Sequence, residues 1–242
     1  MSFEVNSQLN TRINYTQTSA VNNSQHYNAK YSNLSPLGND VFVKTQVSDF
    51  QDIYKKFFNL NTITQAITPE IKAICNKYGL NYKITQEKIN NCDIKHFEDT
   101  YNYALLTAQK MGLSEQETQD LKLAAALHDI GKLFIPDEIL NKNDKLSQIE
   151  KEIISKHSKL GYLLASSMGL NQNVTGAILN HHSNVNNSKI CEIIKVSDRY
   201  SALTSKRSYK TAFSPMLSYS ILKSDAQNNK LFLEILNLFK TP

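Results

Sequence analysis

The histidines of this chain are concentrated in one part of the sequence. Five of the six lie within one stretch: His96, His128, His157, His181 and His182. Two carboxylates belong to the same stretch or follow it, because Asp129 directly follows His128 and Asp198 comes soon after the histidine pair. Imidazole and carboxylate groups are ligands for divalent zinc, iron, manganese or cobalt. The clustering therefore predicts a metal site.

The elements around the first His-Asp pair have clear helix signals. The segment Ile94–Met111 is predicted to be a helix that ends at Gly112. Ser114 and Glu117 form a capping box, which predicts a second helix from Glu115 to about His128. Because this helix is apolar on most sides, it is expected to be buried. Its end should allow two adjacent residues to reach one ion, and Gly131 is expected to let the chain turn away sharply.

Further helices follow in the second half of the chain. A capping box of Ser147 and Glu150 opens a long helix that is expected to end at Met168–Gly169. The other helices are predicted at Val174–His182, at Lys189–Leu203, from Pro215 onward, and at Leu231–Phe239. Strand signals are scarce and no repeat is evident, so the predicted fold class is all-α.

The first ninety residues are divided into two segments by composition. Residues 1–47 are rich in Asn, Ser, Gln and Thr and are predicted to be a disordered polar tail, with a short strand-like patch at Val41–Val43. Residues 48–90 are predicted to form short accessory helices. One is capped by Ser48 and has an aromatic face, and another has Pro69 at its first position and Gly79 after its end. The main domain is predicted to span residues 91–242.

The bulk composition excludes several classes of protein. The net charge of +5 is mild and spread along the chain, so no DNA-binding stripe is indicated. Cys75, Cys92 and Cys191 are far apart, which argues against a disulfide framework and favours a reducing compartment. No secretory signal and no stretch of roughly 18 apolar residues is found, so a cytoplasmic protein without a membrane span is expected.

Several segments carry a family resemblance by their order along the chain. They are Leu127-His128-Asp129-Ile130-Gly131-Lys132, Ile135-Pro136-Asp137-Glu138-Ile139-Leu140-Asn141-Lys142, Lys156-His157 with Gly161, His181-His182, Val196-Ser197-Asp198-Arg199-Tyr200-Ser201-Ala202-Leu203-Thr204-Ser205, and Arg207-Ser208-Tyr209-Lys210. This set resembles the HD-domain phosphohydrolases, and more closely the HD-GYP subgroup that cleaves cyclic dinucleotides. The resemblance covers about His96 to Lys210, and it implies an HD-domain helical bundle.

The resemblance also implies two sets of metal ligands that share one residue. The first metal would be held by His96, His128, Asp129 and Asp198, and the second by Asp129, His157, His181 and His182. Iron or manganese suits a histidine-rich shell with few carboxylates, and zinc also fits.

The implied reaction is hydrolysis of a phosphate ester by a metal-bound hydroxide, with a cyclic dinucleotide or another nucleotide as substrate. Asp129 and Lys132 are the expected catalytic residues. Lys132 would contact a substrate phosphate, and Arg207, Tyr209 and Lys210 would form the remaining substrate contacts. A homodimer is left open.

The chain departs from the subgroup at several positions. Ser183 stands where a glutamate usually follows the histidine pair, and the Gly-Tyr-Pro loop is absent. Ser201 replaces a second aspartate, Ser208 replaces a proline, and Cys92 stands where some members have an acidic ligand. Two alternatives therefore stay open: a degenerate, non-catalytic HD module that binds a nucleotide or a partner protein, and a mononuclear nucleotidase that uses only the first ligand set.

Overall fold

The computed structural model describes residues 49–183, 188–205, 211–226 and 229–239. Within these ranges the secondary structure is helical and no β-strand is present, which confirms the all-α fold class. The α-helices are α1 (49–57, the described part), α2 (Leu60–Gln65), α3 (Pro69–Tyr78), α4 (Gln86–Asn90), α5 (Ile94–Met111), α6 (Glu115–Leu127), α7 (Asp137–Leu140), α8 (Gln148–Ser167), α9 (Gln172–Asn180), α10 (Lys189–Thr204), α11 (Pro215–Asp225) and α12 (Lys230–Asn237). A 3-10 helix, Ile130–Phe134, lies between α6 and α7.

The capping boxes predicted for α6 and α8 and the glycine predicted to end α5 are present. Ser114 and Glu117 form a reciprocal capping box at the start of α6, and Ser147 and Glu150 form another at the start of α8. Gly112 ends α5 with a φ of 62°, a left-handed conformation that glycine adopts without steric cost. These contacts are local in sequence, which is why they could be predicted from it.

The helices that carry the candidate ligands pack directly on one another. Helix α5 packs against α6 and α10, and α8 packs against α9 and the 3-10 helix. Helix α9 also contacts α6 and α10. The four segments that bear histidines are therefore brought to a common centre by helix packing.

The aromatic face of α1 belongs to the same core as the later helices. Phe50 is fully buried, and its ring centroid lies 5.4 Å from that of Tyr101 on α5. Phe58 contacts Phe97 with ring centroids 5.3 Å apart. The segments on either side of the boundary predicted near residue 90 thus share one core. The domain boundary itself stays a prediction.

Some elements differ from the sequence prediction. Helices α2, α4 and α7 and the 3-10 helix were not predicted, because elements of four to six residues are too short to show a helical period. Helix α9 begins two residues earlier than predicted, since Asn171 caps it by accepting the backbone N–H of Val174. The predicted polar tail 1–47, its patch Val41–Val43 and the cap Ser48 lie outside the described residues. Across the part of the chain that is described, no helix is both long enough and apolar enough to span a bilayer.

Candidate metal centre

Each candidate ligand occupies a definite place on its helix. His96 is in the first turn of α5, and His128 is the residue at which α6 ends. Because the helix stops there, the adjacent Asp129 can turn toward the same point as His128, as predicted. His181 likewise ends α9, while His157 and Asp198 project from within α8 and α10.

Asp129 lies at the middle of the centre, and its two oxygens face different histidines. Oδ2 lies 3.3 Å from His128 Nε2 and 3.7 Å from His96 Nε2. Oδ1 lies 3.2 Å from His157 Nε2 and 3.8 Å from His181 Nε2. The carboxylate is therefore positioned to bridge two groups of ligands.

The structure brings all seven predicted ligands into two groups that share Asp129. The ligand atoms within each group lie within 4.8 Å of one another. The groups are His96, His128, Asp129 and Asp198, and Asp129, His157, His181 and His182. In the first group, Asp198 Oδ1 is 2.9 Å from His96 Nε2 and 3.7 Å from His128 Nε2.

The carboxylates and histidines of the centre change one another's protonation. Burial opposes a charge on His128, but Asp129 and Asp198 outweigh burial and raise the pKa of His128 to about 10. Burial would raise the pKa of Asp129, but Lys132 and His128 hold it well below its usual range. Burial lowers the pKa of His157 to about 4, although Asp129 opposes this shift. At neutral pH the centre thus combines ionised carboxylates with a neutral His157, and a bound cation would displace the proton from His128.

The residues fit a divalent metal by their unsatisfied atoms as well as by their types. His128 Nε2 and Asp129 Oδ1 are buried and have no hydrogen-bond partner among the described residues. A buried polar atom without a partner costs about 1–3 kcal/mol. Since imidazole nitrogen and carboxylate oxygen are both good ligands for first-row transition metals, each group could hold such an ion.

Among the described residues, one edge of the centre reaches solvent. His182 is exposed, whereas Asp129 is only 2 % exposed and His128 and His181 are fully buried. The side chain of Lys132 is 30 % exposed, and its Nζ donates to Asp129 Oδ2 at 2.5 Å. Lys132 is thus tied to the shared carboxylate while it borders the accessible side. The predicted substrate contacts Arg207, Tyr209 and Lys210 lie outside the described residues.

Gly131 makes a close backbone contact that was not predicted. Its φ is not positive, since the left-handed glycines among the described residues are at other positions, and the chain continues directly into the 3-10 helix. A Cβ at Gly131 would lie 2.0 Å from the backbone oxygen of His157 and 2.5 Å from the backbone nitrogen of Gly161. The predicted turn therefore does not use a left-handed conformation at Gly131, and the glycine allows the backbone after Asp129 to touch α8.

Cys92 does not join either ligand group. Its Sγ donates to the backbone oxygen of Lys88 at 3.6 Å, and burial raises the pKa of the thiol to about 12. Cys75 and Cys191 are free and buried, as expected of small apolar residues.

Sequence reasoning gave no role to two side chains that support the centre. Lys195 is buried on α10, where its Nζ donates to Glu192 and to the backbone oxygen of Ser183, directly after the histidine pair. The hydroxyl of Ser201 lies 3.1 Å from His96 Nδ1. In the sequence, Ser201 stands out only as a departure from the family. Its contact with His96 could not be predicted, because it depends on how two helices pack.

The family model described as HD domain matches residues 70–231, which is more than half of the chain. The chain belongs to the HD domain family. The resemblance drawn from its motifs is thereby confirmed at the level of the family.

Curated relatives of this HD domain include several bacterial phosphodiesterases. The cyclic di-GMP phosphodiesterase response regulator RpfG of Xanthomonas campestris pv. campestris is 34% identical over 141 residues, covering 52% of this chain and 37% of that protein. The cyclic di-GMP phosphodiesterase PdeB of Borreliella burgdorferi is 33% identical over 146 residues, covering 54% of this chain and 38% of that protein. The 3'3'-cGAMP-specific phosphodiesterase 2 of Vibrio cholerae is 33% identical over 129 residues, covering 48% and 25%. The chain thus spans well under half the length of these relatives.

Proposed function

We propose that this chain is a metal-dependent phosphodiesterase that hydrolyses a cyclic dinucleotide or another nucleotide. The observation that carries the proposal is the position of Asp129, whose Oδ2 is 3.3 Å from His128 Nε2 and whose Oδ1 is 3.2 Å from His157 Nε2. One carboxylate placed between two sets of histidines can hold two metal ions close together, as a two-metal hydrolase needs.

The proposed centre holds two divalent ions, with iron or manganese favoured by the histidine-rich shell and zinc also acceptable. Its ligands are His96, His128, Asp129 and Asp198 for one ion, and Asp129, His157, His181 and His182 for the other. When bound, such a pair of ions activates a water molecule and neutralises the charge of the phosphoryl group.

The residues at the solvent-exposed edge of the centre would bind the substrate. Lys132 pairs with Asp129 and is partly exposed, so its ammonium group can contact a phosphate oxygen without leaving the centre. Asp129 keeps its negative charge through Lys132 and His128, and it therefore can hold both ions at neutral pH. Arg207, Tyr209 and Lys210 are proposed as further substrate contacts on the basis of the family resemblance alone.

The relatives support a phosphodiester substrate, since they are named as cyclic di-GMP and 3'3'-cGAMP phosphodiesterases. The Gly-Tyr-Pro loop is absent from this chain and Ser183 replaces the usual glutamate. We therefore propose the class of substrate, a phosphodiester, and do not single out one dinucleotide. We further propose that the protein acts in the cytoplasm.

The test combines metal analysis with a hydrolysis screen. Protein loaded with Mn²⁺ or Fe²⁺ under anaerobic conditions is expected to bind about two ions per chain and to hydrolyse an activated diester and at least one cyclic dinucleotide. Asp129→Ala is expected to lose both ions and all hydrolysis, while a distant surface variant, Ile149→Ala, keeps both. Wild-type protein that holds two ions and leaves a broad panel of phosphate esters intact would refute the proposed activity.

The absence of the usual glutamate at Ser183 favours one second candidate, a non-catalytic HD module that binds a nucleotide or a partner protein. This candidate predicts that a cyclic dinucleotide raises the melting temperature of the metal-loaded protein without being consumed. Turnover of any phosphodiester by the wild type, lost in Asp129→Ala, excludes it.

A further inference from the structure

His96 differs from the other buried histidines of the centre in what holds its Nδ1 atom. Three of these histidines place Nδ1 against the backbone oxygen three residues earlier on their own chain segment. The pairs are His128 with Ala125 at 2.8 Å, His157 with Ile154 at 2.6 Å, and His181 with Ile178 at 2.7 Å. Because a carbonyl can only accept, each Nδ1 carries a proton, and Nε2 is the ring nitrogen that could bind a metal ion.

His96 has no equivalent carbonyl available. It lies in the first turn of α5, three residues after the N-cap Asp93. The backbone oxygen of Asp93 already accepts the backbone N–H groups of His96 at 3.0 Å and of Phe97 at 3.2 Å. A partner for Nδ1 of this histidine therefore has to come from another helix.

Ser201 on α10 is that partner. Its hydroxyl oxygen lies 3.1 Å from His96 Nδ1, and the residue is fully buried. Asp198 precedes it by three positions, so the two side chains lie on the same face of α10. Asp198 Oδ1 is 2.9 Å from His96 Nε2, and the same helix therefore contacts both nitrogens of the ring.

We propose that Ser201 is a positioning residue for the metal centre: when an ion is bound between His96 and the carboxylates of Asp198 and Asp129, the Ser201 hydroxyl accepts the Nδ1 proton of His96 and keeps Nε2 directed at that ion. The proposal rests on the proposed metal centre, because a lone pair on Nε2 matters only if His96 is a ligand. Groups that orient a ligating histidine typically change metal affinity by about 10–100-fold when they are removed.

Ser197 offers a matched control on the same helix. It is fully buried like Ser201, and its hydroxyl has no hydrogen-bond partner among the described residues. Ser197→Ala and Ser201→Ala therefore delete the same group from the same environment, and of the two deleted hydroxyls only that of Ser201 contacts His96.

The experiment titrates the metal-free full chain with Mn²⁺ and counts free Mn²⁺ by electron paramagnetic resonance. Ser201→Ala is expected to weaken one of the Mn²⁺ sites about 10–100-fold, whereas Ser197→Ala changes neither site by more than about twofold. Ser201→Thr, which keeps the hydroxyl, is expected to recover most of the affinity. If the threonine methyl group prevents folding, the comparison of the two alanine variants decides alone.

A second readout tests the tautomer directly. In the zinc-loaded wild type, long-range ¹H–¹⁵N correlation spectra should show His96 protonated at Nδ1, assigned by the loss of its signals in His96→Asn. In Ser201→Ala this pattern should weaken or become a mixture of tautomers, and in Ser197→Ala it should not change.

The outcomes separate this inference from the proposed function. Wild-type protein that binds Mn²⁺, together with a Ser201→Ala variant of equal affinity and an unchanged His96 tautomer, overturns the positioning role and leaves the metal centre intact. A Ser201→Ala variant that melts at a lower temperature yet binds Mn²⁺ normally also overturns it. Wild-type protein that binds no Mn²⁺ overturns both proposals.

Discussion

The contact between Gly131 and α8 gives the sharpest prediction about the centre. An added Cβ at Gly131 would lie 2.0 Å from the backbone oxygen of His157, 2.5 Å from the nitrogen of Gly161 and 2.9 Å from the carbonyl carbon of His157. Carbon–oxygen contacts normally lie at about 3.3 Å or more, so the two backbones would have to separate by roughly 1.3 Å. Neither side of this contact is a flexible side-chain end that could move away.

The expected loss in free energy of unfolding for Gly131→Ala is therefore at the upper end of the range seen when a core is overpacked. Such substitutions usually cost about 1–3 kcal/mol and occasionally more, and we expect at least about 3 kcal/mol here because backbone meets backbone. For a chain of this size each kcal/mol lowers the melting temperature by about 2–4 °C, so a decrease of about 6–12 °C is predicted.

The same displacement should reach the metal centre. His157 provides the backbone oxygen in the contact, and its Nε2 lies 3.2 Å from Asp129 Oδ1. A misplacement of about 1 Å at an active site can lower the rate of its reaction by about 100-fold. We therefore expect Gly131→Ala to weaken Mn²⁺ binding in the group that contains His157, in addition to lowering stability.

Two other glycines provide a graded control series. A Cβ at Gly161 would meet Ile178 Cγ2 at 3.1 Å and the nitrogen of Gly131 at 3.3 Å, so a smaller loss of about 1 kcal/mol is expected for Gly161→Ala. A Cβ at Gly176, in α9, would meet nothing within 4 Å. Gly176→Ala should therefore stabilise the protein by about 0.5–1 kcal/mol, because alanine favours the helix.

The assay is thermal and urea unfolding of the metal-free proteins, followed by Mn²⁺ titration. The predicted order of stability is Gly176→Ala above wild type, then Gly161→Ala, then Gly131→Ala. If Gly131→Ala melted within about 1 °C of the wild type, the close approach of the two backbones could not be as described, and the reasoning would fail.

Three more predictions concern the centre and its support. Each Mn²⁺ site contributes about 2.7 kcal/mol to stability at a free concentration of 100 times its Kd, so chelation should lower the melting temperature by at least about 5–11 °C, and a melting temperature insensitive to Mn²⁺ would contradict the metal centre. His157→Ala should leave about one bound ion per chain and abolish diester hydrolysis, whereas a mononuclear enzyme would keep its activity, as measured by metal analysis and turnover. Burial would raise the pKa of Asp120, but hydrogen bonds from Asn173, Asn171 and Gln116 outweigh it and lower the pKa below its usual 3.8. Because the pKa of Asp120 is lower in the folded state, this stabilisation is present above pH 3.8 and is lost as the pH falls below it. The difference in unfolding free energy between wild type and Asp120→Asn should therefore become smaller as the pH is lowered. A difference that became larger would show that the assigned sign is wrong.

The sequence predicted those features of the fold that depend on neighbouring residues. The capping boxes at Ser114 and Ser147 were predicted because their hydrogen bonds join residues three apart, and each fixes where a helix begins. The short helices α2, α4 and α7 were not predicted, because their stability comes from packing against the rest of the chain and not from a periodic pattern of their own.

The same division holds within the candidate site. The identity and order of the candidate ligands came from the family resemblance, which motifs around His128 and His181 carry, and the structure groups these residues about Asp129. The close contact of Gly131 with α8 was not predicted, because nothing in its local sequence tells which backbone lies opposite; that depends on how the 3-10 helix meets α8. The contact of Ser201 with His96 is equally non-local, since the two residues are 105 positions apart.

These two non-local contacts explain how the centre can be assembled from separate helices. Backbone carbonyls of their own segments orient the rings of His128, His157 and His181. The position of these rings in the centre then depends only on how the helices pack. Gly131 sets that packing for α8 by letting the backbones touch. His96 lacks a carbonyl of its own and depends on α10 for its orientation. Helix packing and side-chain orientation are therefore separate requirements, and a variant that disturbs one of them need not disturb the other.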